Sequence, residues 1–235
     1  MSVKRAQSGG RMLRVFEAIA AAQPLGVSEL ARTLGADKSA VQRDLMTLSD
    51  AGWIRPVLSG KWELTSRILT LARTPYSNNG LRQRVRPILE ALRSSTGETA
   101  YLTVPDGDHF VVIDAVESPQ VLRIVPPIGL VVPVHGSATA RALLPYMTAP
   151  EQVRLLGAEA HTSLLKQFDM TRQAGFAVNN GDIIGGAVAI ASALLNEEGR
   201  AYGAIVLTGP SERFSLERCE ELGAQLAEAT RSLAV

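Results

Sequence analysis

The sequence predicts an α+β protein in two parts, a three-helix module with a two-stranded hairpin at the front and a mixed domain on a largely antiparallel sheet behind it. Three observations carry this expectation. Apolar residues recur at helical spacing up to Gly52, and the period then changes to that of strands. The rear strand candidates are joined by turns as short as Pro105-Asp106-Gly107-Asp108 and Asn196-Glu197-Glu198-Gly199, which suit antiparallel neighbours. Charge is also divided: residues 1–80 hold 11 basic and 6 acidic residues, net +5, whereas residues 81–235 hold 13 and 17, net −4.

Element by element, Met12, Leu13, Phe16, Ile19 and Ala20 place a first helix over about Gly10 to Ala22, with Ser8 as a nearby cap and Pro24 as its close. A short second helix fits Val27 to Leu34, with Glu29 in its first turn and Gly35 as terminator. A third follows the N-cap Asp37, carries Val41, Leu45 and Leu48 on one face and stops at Gly52. These helices, with the tight Gly-Ala-Asp turn, have helix-turn-helix geometry. The β-prone runs Trp53–Val57 and Lys61–Leu64 flank Leu58-Ser59-Gly60 and read as a hairpin, that is, a wing.

Boundaries follow at 1–65 for this winged module, 66–80 for a linker and 81–235 for the second domain. Within the linker, Ser66–Ala72 reads as helix and Pro75–Gly80 as a hinge. The amphipathic helix carrying Leu81, Val85, Ile88, Leu89 and Leu92 then ends before Gly97. Strands are expected over Glu98–Val104, His109–Val116, Val121–Val125, Val131–Val134, Phe176–Asn179, Ala187–Leu195 and Ala201–Leu207, and helices over Ser137–Tyr146, Glu151–Leu156, Thr162–Ala174 and Leu216–Leu233.

Composition narrows the function classes. At 46% apolar the chain of 235 residues can bury a core, so disorder is excluded. The single cysteine, Cys219, makes an internal disulfide impossible, and with three scattered histidines it offers no zinc cluster; no cofactor is called for. The N-terminus lacks the apolar run of a secretory signal and no stretch is apolar enough to span a bilayer, so a soluble, cytoplasmic protein is expected. Cys219 shares helical spacing with Leu216, Leu222 and Leu226 and reads as core rather than redox sensor.

The basic front points to a polyanion. Opposite the apolar face of the third helix lie Ser39, Arg43 and Met46 with Gln42 beside them, and Arg and Gln are the side chains that pair with guanine and adenine edges in a major groove. Lys38 in the first turn, Arg55 and Lys61 on the wing, and Arg11 and Arg14 on the first helix are candidates for phosphate contacts that position without reading sequence. The bland reading of any one of them is a solvated face. The charge division, the helix spacing and the wing occurring together favour double-stranded DNA.

Four motifs follow in order: Gly97-Glu98-Thr99-Ala100-Tyr101-Leu102, Pro133-Val134-His135-Gly136-Ser137-Ala138-Thr139-Ala140-Arg141-Ala142-Leu143-Leu144, Arg172-Gln173-Ala174-Gly175-Phe176-Ala177-Val178 and Val206-Leu207-Thr208-Gly209-Pro210. Behind a winged helix, this series resembles the IclR family of bacterial transcriptional regulators, from about Gly9 to Val235. The resemblance implies a GAF-like effector domain that binds a small metabolite, a linker helix, and a homodimer or homotetramer on a partly palindromic operator. It places an effector pocket at the backbone N–H groups of Ala138 and Thr139, with walls at Val121, Ile124, Val132 and Ala187 and polar positions at Asn179, Ala189, Val206 and Thr208. The acid and cysteine common in the family are here Asn179 and Ala189, Ala193 stands where a proline is expected, and Val206 is apolar. A greasier pocket follows, suited to a larger, aromatic organic acid.

Packing is the competing reading of each apolar wall residue. Two other functions stay open at this point. Gln42-Arg43-Asp44-Leu45 also suits a DeoR-like, sugar-phosphate-responsive regulator, although the rear lacks the alternating parallel pattern. His135 near Ser137 suggests a hydrolase, although Gly136-Ser137-Ala138-Thr139-Ala140 lacks the second glycine of a nucleophile elbow.

Overall fold

Val15 and Ile19 stack one turn apart on α1 (Gln7–Ala22), and against them close α2 (Val27–Leu34) through Leu30 and α3 (Lys38–Asp50) through Val41, Leu45 and Leu48. This is the front unit, Met1–Ser77, of a computed structural model that describes residues 6–72 and 79–233; the rear unit is Asn78–Val235. The helix ends are set by local chemistry. Glu29 accepts from the Gly26 N–H at 2.8 Å, Gly35 takes a left-handed φ of 58° that closes α2, and Asp37 Oδ1 accepts from the Ser39 and Ala40 N–H groups at the start of α3. β2 (Ile54–Val57) and β3 (Lys61–Leu64) form the wing, and β1 (Leu25–Gly26) adds to its other side, giving the order β1-β3-β2. Ile54 and Trp62 seal the core beneath, and Arg67 at the start of α4 (Arg67–Ala72) stacks 4.7 Å over the Trp53 ring.

Three details differ from expectation. α1 begins at Gln7 with Ala6 as its cap, so Ser8 is inside the helix. Leu13 and Ala20 are exposed, and the buried face is set by Val15 and Ile19 instead. Of the hinge expected over Pro75–Gly80, residues 75–78 lie outside the described residues, while Asn79 and Gly80 already belong to α5 (Asn79–Thr96).

In the rear unit, antiparallel pairing runs through all six strands in the order β6-β5-β4-β9-β8-β7. These are β4 (Thr99–Asp106), β5 (His109–Val116), β6 (Val131–Val132), β7 (Ala177–Asn180), β8 (Ala187–Leu195) and β9 (Ala201–Pro210). Side chains alternate across the sheet. Ala100, Leu102 and Val104 meet Val85 and Leu89 of α5 and Leu222 and Leu226 of α9 (Leu216–Arg231) on one face. Tyr101, Val206 and Ala191 meet α6 (Ala138–Leu143) and Phe168 of α8 (Thr162–Ala174) on the other. α7 (Ala149–Leu156) flanks that second layer through Leu155. A bidentate pair, Arg213 to Glu98 at 2.5 and 2.6 Å, fastens the turn after β9 to the start of β4.

The strand expected at Val121–Val125 does not form. The outer edge of β5 is taken by β6, and Pro126 and Pro127 supply no N–H to a ladder, so residues 117–130 cross the sheet end as irregular chain pinned by Gly129 N–H to Val112 and Val112 N–H to Leu130. Cys219 is buried as expected and burial pushes its thiol pKa up, but Leu216 is exposed and does not share its face. Among the described residues no helix is long and apolar enough to cross a membrane.

Candidate DNA interface and ligand cavity

α3 offers its outer face because its inner face is fixed twice, by Val41, Leu45 and Leu48 in the core and by the buried carboxylate of Asp44. Arg11 of α1 donates to Asp44 from Nε at 2.6 Å and from Nη2 at 3.2 Å. Lys38, Ser39, Gln42 and Arg43 are exposed on the opposite side, as the spacing predicts. Lys38 and Arg43 have no ion-pair partner among the described residues. Ser39 is partly engaged, its hydroxyl donating to Asp37 at 2.5 Å. That contact comes first among those that hold the Asp37 carboxyl below its ordinary pKa, ahead of the Ala40 and Ser39 N–H groups.

The other basic candidates are tied up to different degrees. Arg55 pairs with Glu63 across the wing at 2.7 Å while remaining well exposed, and Lys61 reaches Glu29 at the start of α2 at 3.3 Å. Glu29 is held below its ordinary range first by the Gly26 N–H and then by Lys61. Arg11, expected among the phosphate contacts, is instead the partner of a buried acid, and Arg14 is exposed without an ion-pair partner among the described residues. Only a long-range pairing revealed the role of Arg11; thirty-three positions separate it from Asp44.

In the rear unit a cavity of about 230 Å³ opens between the sheet and the start of α6. Eight residues named from the sequence line it: Ile124, Val132, Ala138, Thr139, Asn179, Ala187, Ala189 and Thr208. Two do not. Val121, expected in the wall, is 98% exposed on the irregular crossing, where no ladder turns it inward, and Val206, expected at a polar position, is fully buried in the core with Ala191 and Ala204, so neither lines the cavity.

The structure adds lining that sequence reasoning missed: Tyr101 of β4, Val125, Pro126, Pro127 and Leu130 of the crossing, and Ile183 and Ile184 at the mouth. Tyr101 could have been found from alternation, since it stands on the opposite side of β4 from the apolar pair Ala100 and Leu102. The mouth loop is held from below by Arg141, which donates to the Val178 carbonyl at 2.6 Å and to Asp182 at 2.5 Å. Asn179 donates to the Gly136 carbonyl and accepts from the Asp182 N–H at 3.2 Å, so the amide fastens two loops at the rim. Among the described residues no Lys, Arg, His, Asp or Glu lines the cavity. Burial raises the pKa of Tyr101 strongly, with Thr139 opposing, and keeps its hydroxyl protonated.

The nucleophile reading finds no geometry to support it. Ser137 Oγ caps α6 by accepting from the Ala140 N–H at 3.1 Å, and the exposed His135 makes no hydrogen bond to it.

Comparison with known proteins follows this geometry closely. The profile described as bacterial transcriptional regulator IclR C-terminal matches residues 74–235, and that described as IclR helix-turn-helix domain matches residues 10–57. The acetate operon repressor of Salmonella typhimurium is 28% identical over 242 residues, covering 97% of this chain and 88% of the repressor. A solved IclR transcriptional regulator from Alicyclobacillus acidocaldarius superposes with a TM-score of 0.81 at 21% identity over 98% of each chain. An IclR homologue from Microbacterium hydrocarbonoxydans, solved as a complex with 4-hydroxybenzoate, gives a TM-score of 0.77 at 19% identity over 96% of this chain and 98% of that one.

Proposed function

This chain belongs to the IclR family of bacterial transcriptional regulators, and from that premise we propose how its two units divide the work. It is a DNA-binding regulator with a C-terminal effector domain, not an enzyme. The front units of a homodimer or homotetramer grip a partly palindromic operator in the cytoplasm, α3 entering the major groove. Gln42 and Arg43 read base edges there, Ser39 and Lys38 support them, and Arg55 and Lys61 meet phosphates from the wing. The rear cavity takes the effector against Ile124, Val132, Ala187 and Ala189, with Ala138 and Thr139 at its head and Asn179 and Thr208 at its rim.

The effector is a small organic acid of aromatic size. The observation that carries this is the lining: apolar walls without a charged side chain, around a volume of about 230 Å³. For comparison, an engineered cavity of about 150 Å³ takes benzene. That a structural neighbour was solved with 4-hydroxybenzoate supports the same size class. The DeoR-like alternative loses ground to the antiparallel sheet, which has no parallel βαβ unit to hold a sugar phosphate.

Effector binding shifts the spacing or orientation of paired front units through the segment Ser66–Leu92. Couplings of this kind are typically about 1–3 kcal/mol, roughly a 5- to 150-fold change in operator affinity. The test is an anisotropy titration of the chain's own upstream DNA, with and without aromatic acids found by thermal shift. Steep salt dependence and a ligand-dependent affinity are expected. Absent or salt-insensitive binding overturns the DNA reading.

A further inference from the structure

Almost every polar side-chain atom around the cavity already has a partner. The Thr208 hydroxyl donates to the Val188 carbonyl at 2.8 Å, Ser137 caps α6, and Asn179 fastens the rim. Thr139 is different. The residue is 1% exposed, it lines the cavity, and its Oγ1 meets no partner at hydrogen-bond geometry, only the weak approach of the Tyr101 hydroxyl. Beside it lies Tyr101, 8% exposed and also lining the cavity.

A buried hydroxyl without a partner costs stability that valine, of the same outline, would not lose. Threonine therefore works against folding here, and a partner arriving from outside the chain reverses the sign. What the two hydroxyls complement is set by their chemistry. Each can turn one O–H toward a guest, so together they match the lone pairs of one sp² oxygen or the two oxygens of a carboxyl. The other walls are apolar, and a ligand bearing many hydroxyls would leave water without replacement partners.

We propose that Tyr101 and Thr139 form an uncharged two-hydroxyl clamp for an oxygen-acceptor head, a planar carboxyl or carbonyl, on a flat apolar ligand, and that this pair sets the specificity of the cavity. The proposal rests on reading the cavity as the effector site. The clamp joins two distant parts of the chain, a strand residue of β4 and a helix residue of α6. Neither hydroxyl is needed by the scaffold.

Calorimetry on the full chain tests it with benzoate, acetophenone and toluene, which share a ring and carry a carboxyl, a carbonyl and no head. Tyr101→Phe and Thr139→Val are each expected to weaken the headed probes by about tenfold, the equivalent of about 1.4 kcal/mol for one lost hydrogen bond. Toluene binding should change by less than about threefold. Ligand-free Thr139→Val should melt at or above the wild-type temperature, whereas a residue with a structural role would melt lower. If only benzoate or only acetophenone shows the loss, that names the head and supports the clamp.

Ala189→Trp, which fills the cavity, separates the two levels of the argument. Headed probes whose binding is abolished by Ala189→Trp but indifferent to both hydroxyl variants overturn the clamp alone. Binding unaffected by Ala189→Trp, or no binding of any probe, overturns the cavity reading and the clamp with it. Toluene bound as tightly as the headed probes also overturns the clamp.

Discussion

Arg11 and Arg14 sit one turn apart on α1, both basic and both reachable by a phosphate in a naive reading of charge, yet the structure gives them different jobs. Arg11 makes two hydrogen bonds to Asp44, at 2.6 and 3.2 Å, and Asp44 is 6% exposed. Replacing Arg11 by Ala strands a carboxylate in the core of the winged module, which is costly because its water has already been lost. Arg14→Ala strands nothing. Each phosphate neutralised contributes about 0.9 to the slope of log affinity against log salt, so raising salt fourfold weakens binding by about 3.5-fold per contact. Arg14→Ala should therefore reduce the loss between about 50 and 200 mM salt by that factor, with no change in melting. Arg11→Ala should do the reverse, lowering the melting temperature while leaving the slope intact. Both tryptophans, Trp53 and Trp62, lie in the front unit, so their fluorescence follows its unfolding directly. Pairing Arg11→Met with Asp44→Leu should restore the melting temperature, since replacing both partners by apolar groups of similar size removes the stranded charge. An Arg11→Ala protein with unchanged melting and a slope reduced by about 0.9 would refute the division.

Three further outcomes can be checked. Arg43→Ala should erase about 1–3 kcal/mol of preference for the cognate base, and Lys61→Ala should weaken cognate and scrambled DNA alike; equal effects of the two in a competition gel shift would contradict the assignment. Gly223→Ala drives a Cβ into the Phe176 ring, so overpacking of about 1–3 kcal/mol should exceed the roughly 1 kcal/mol that alanine adds to helix propensity. In a Phe176→Ala background the sign should invert, and urea unfolding that shows equal loss in both backgrounds would sink the argument. Asp37 and Glu29 are held below their ordinary values of 3.8 and 4.5, so the stability they contribute is present above those values and is lost as pH falls through their lower folded values. Tryptophan-monitored melting between pH 6 and 3 should show that decline, and Asp37→Ala should flatten it.

Much of this was legible because single residues with strong local preferences mark the ends of elements. Val27–Leu34, Lys38–Asp50, His109–Val116, Thr162–Ala174 and Ala187–Leu195 begin and end where caps, glycines or turns put them. Illegible features depended on partners distant in sequence. β1 is two residues long and exists because β3 has a free edge beside it, so no periodicity could reveal it. The apolar, β-branched run Val121–Val125 reads as a strand, but a strand needs a neighbour, and β6 takes the place. Val206 falls at one of the family's polar pocket positions by resemblance, whereas in this chain it packs in the core with the small residues Ala191 and Ala204. Eight of the ten effector positions do meet around one cavity, because alternation on β8 and β9 and the start of α6 fix which way those side chains turn.

One rule about buried polar groups separates scaffold from site in both units. Where a polar group is part of the scaffold, the chain supplies its partner: Asp44 has Arg11, Glu98 has Arg213, and Ser192 has Thr230 at 2.8 Å. Two buried side-chain atoms among the described residues lack one, Arg82 Nε and Thr139 Oγ1. Arg82 stands beside Asp114, whose Oδ1 already receives Arg86 at 2.9 Å and the Ala115 N–H at 2.9 Å. Its unpaired nitrogen therefore reflects competition within an ion cluster that is complete in charge. Thr139 has no such cluster and faces a cavity with no charged lining. Among the described residues Thr139 Oγ1 is thus a fully buried hydroxyl with neither a good partner nor a competing ion cluster, and it lines a cavity of ligand size, where a guest can complete its hydrogen bond.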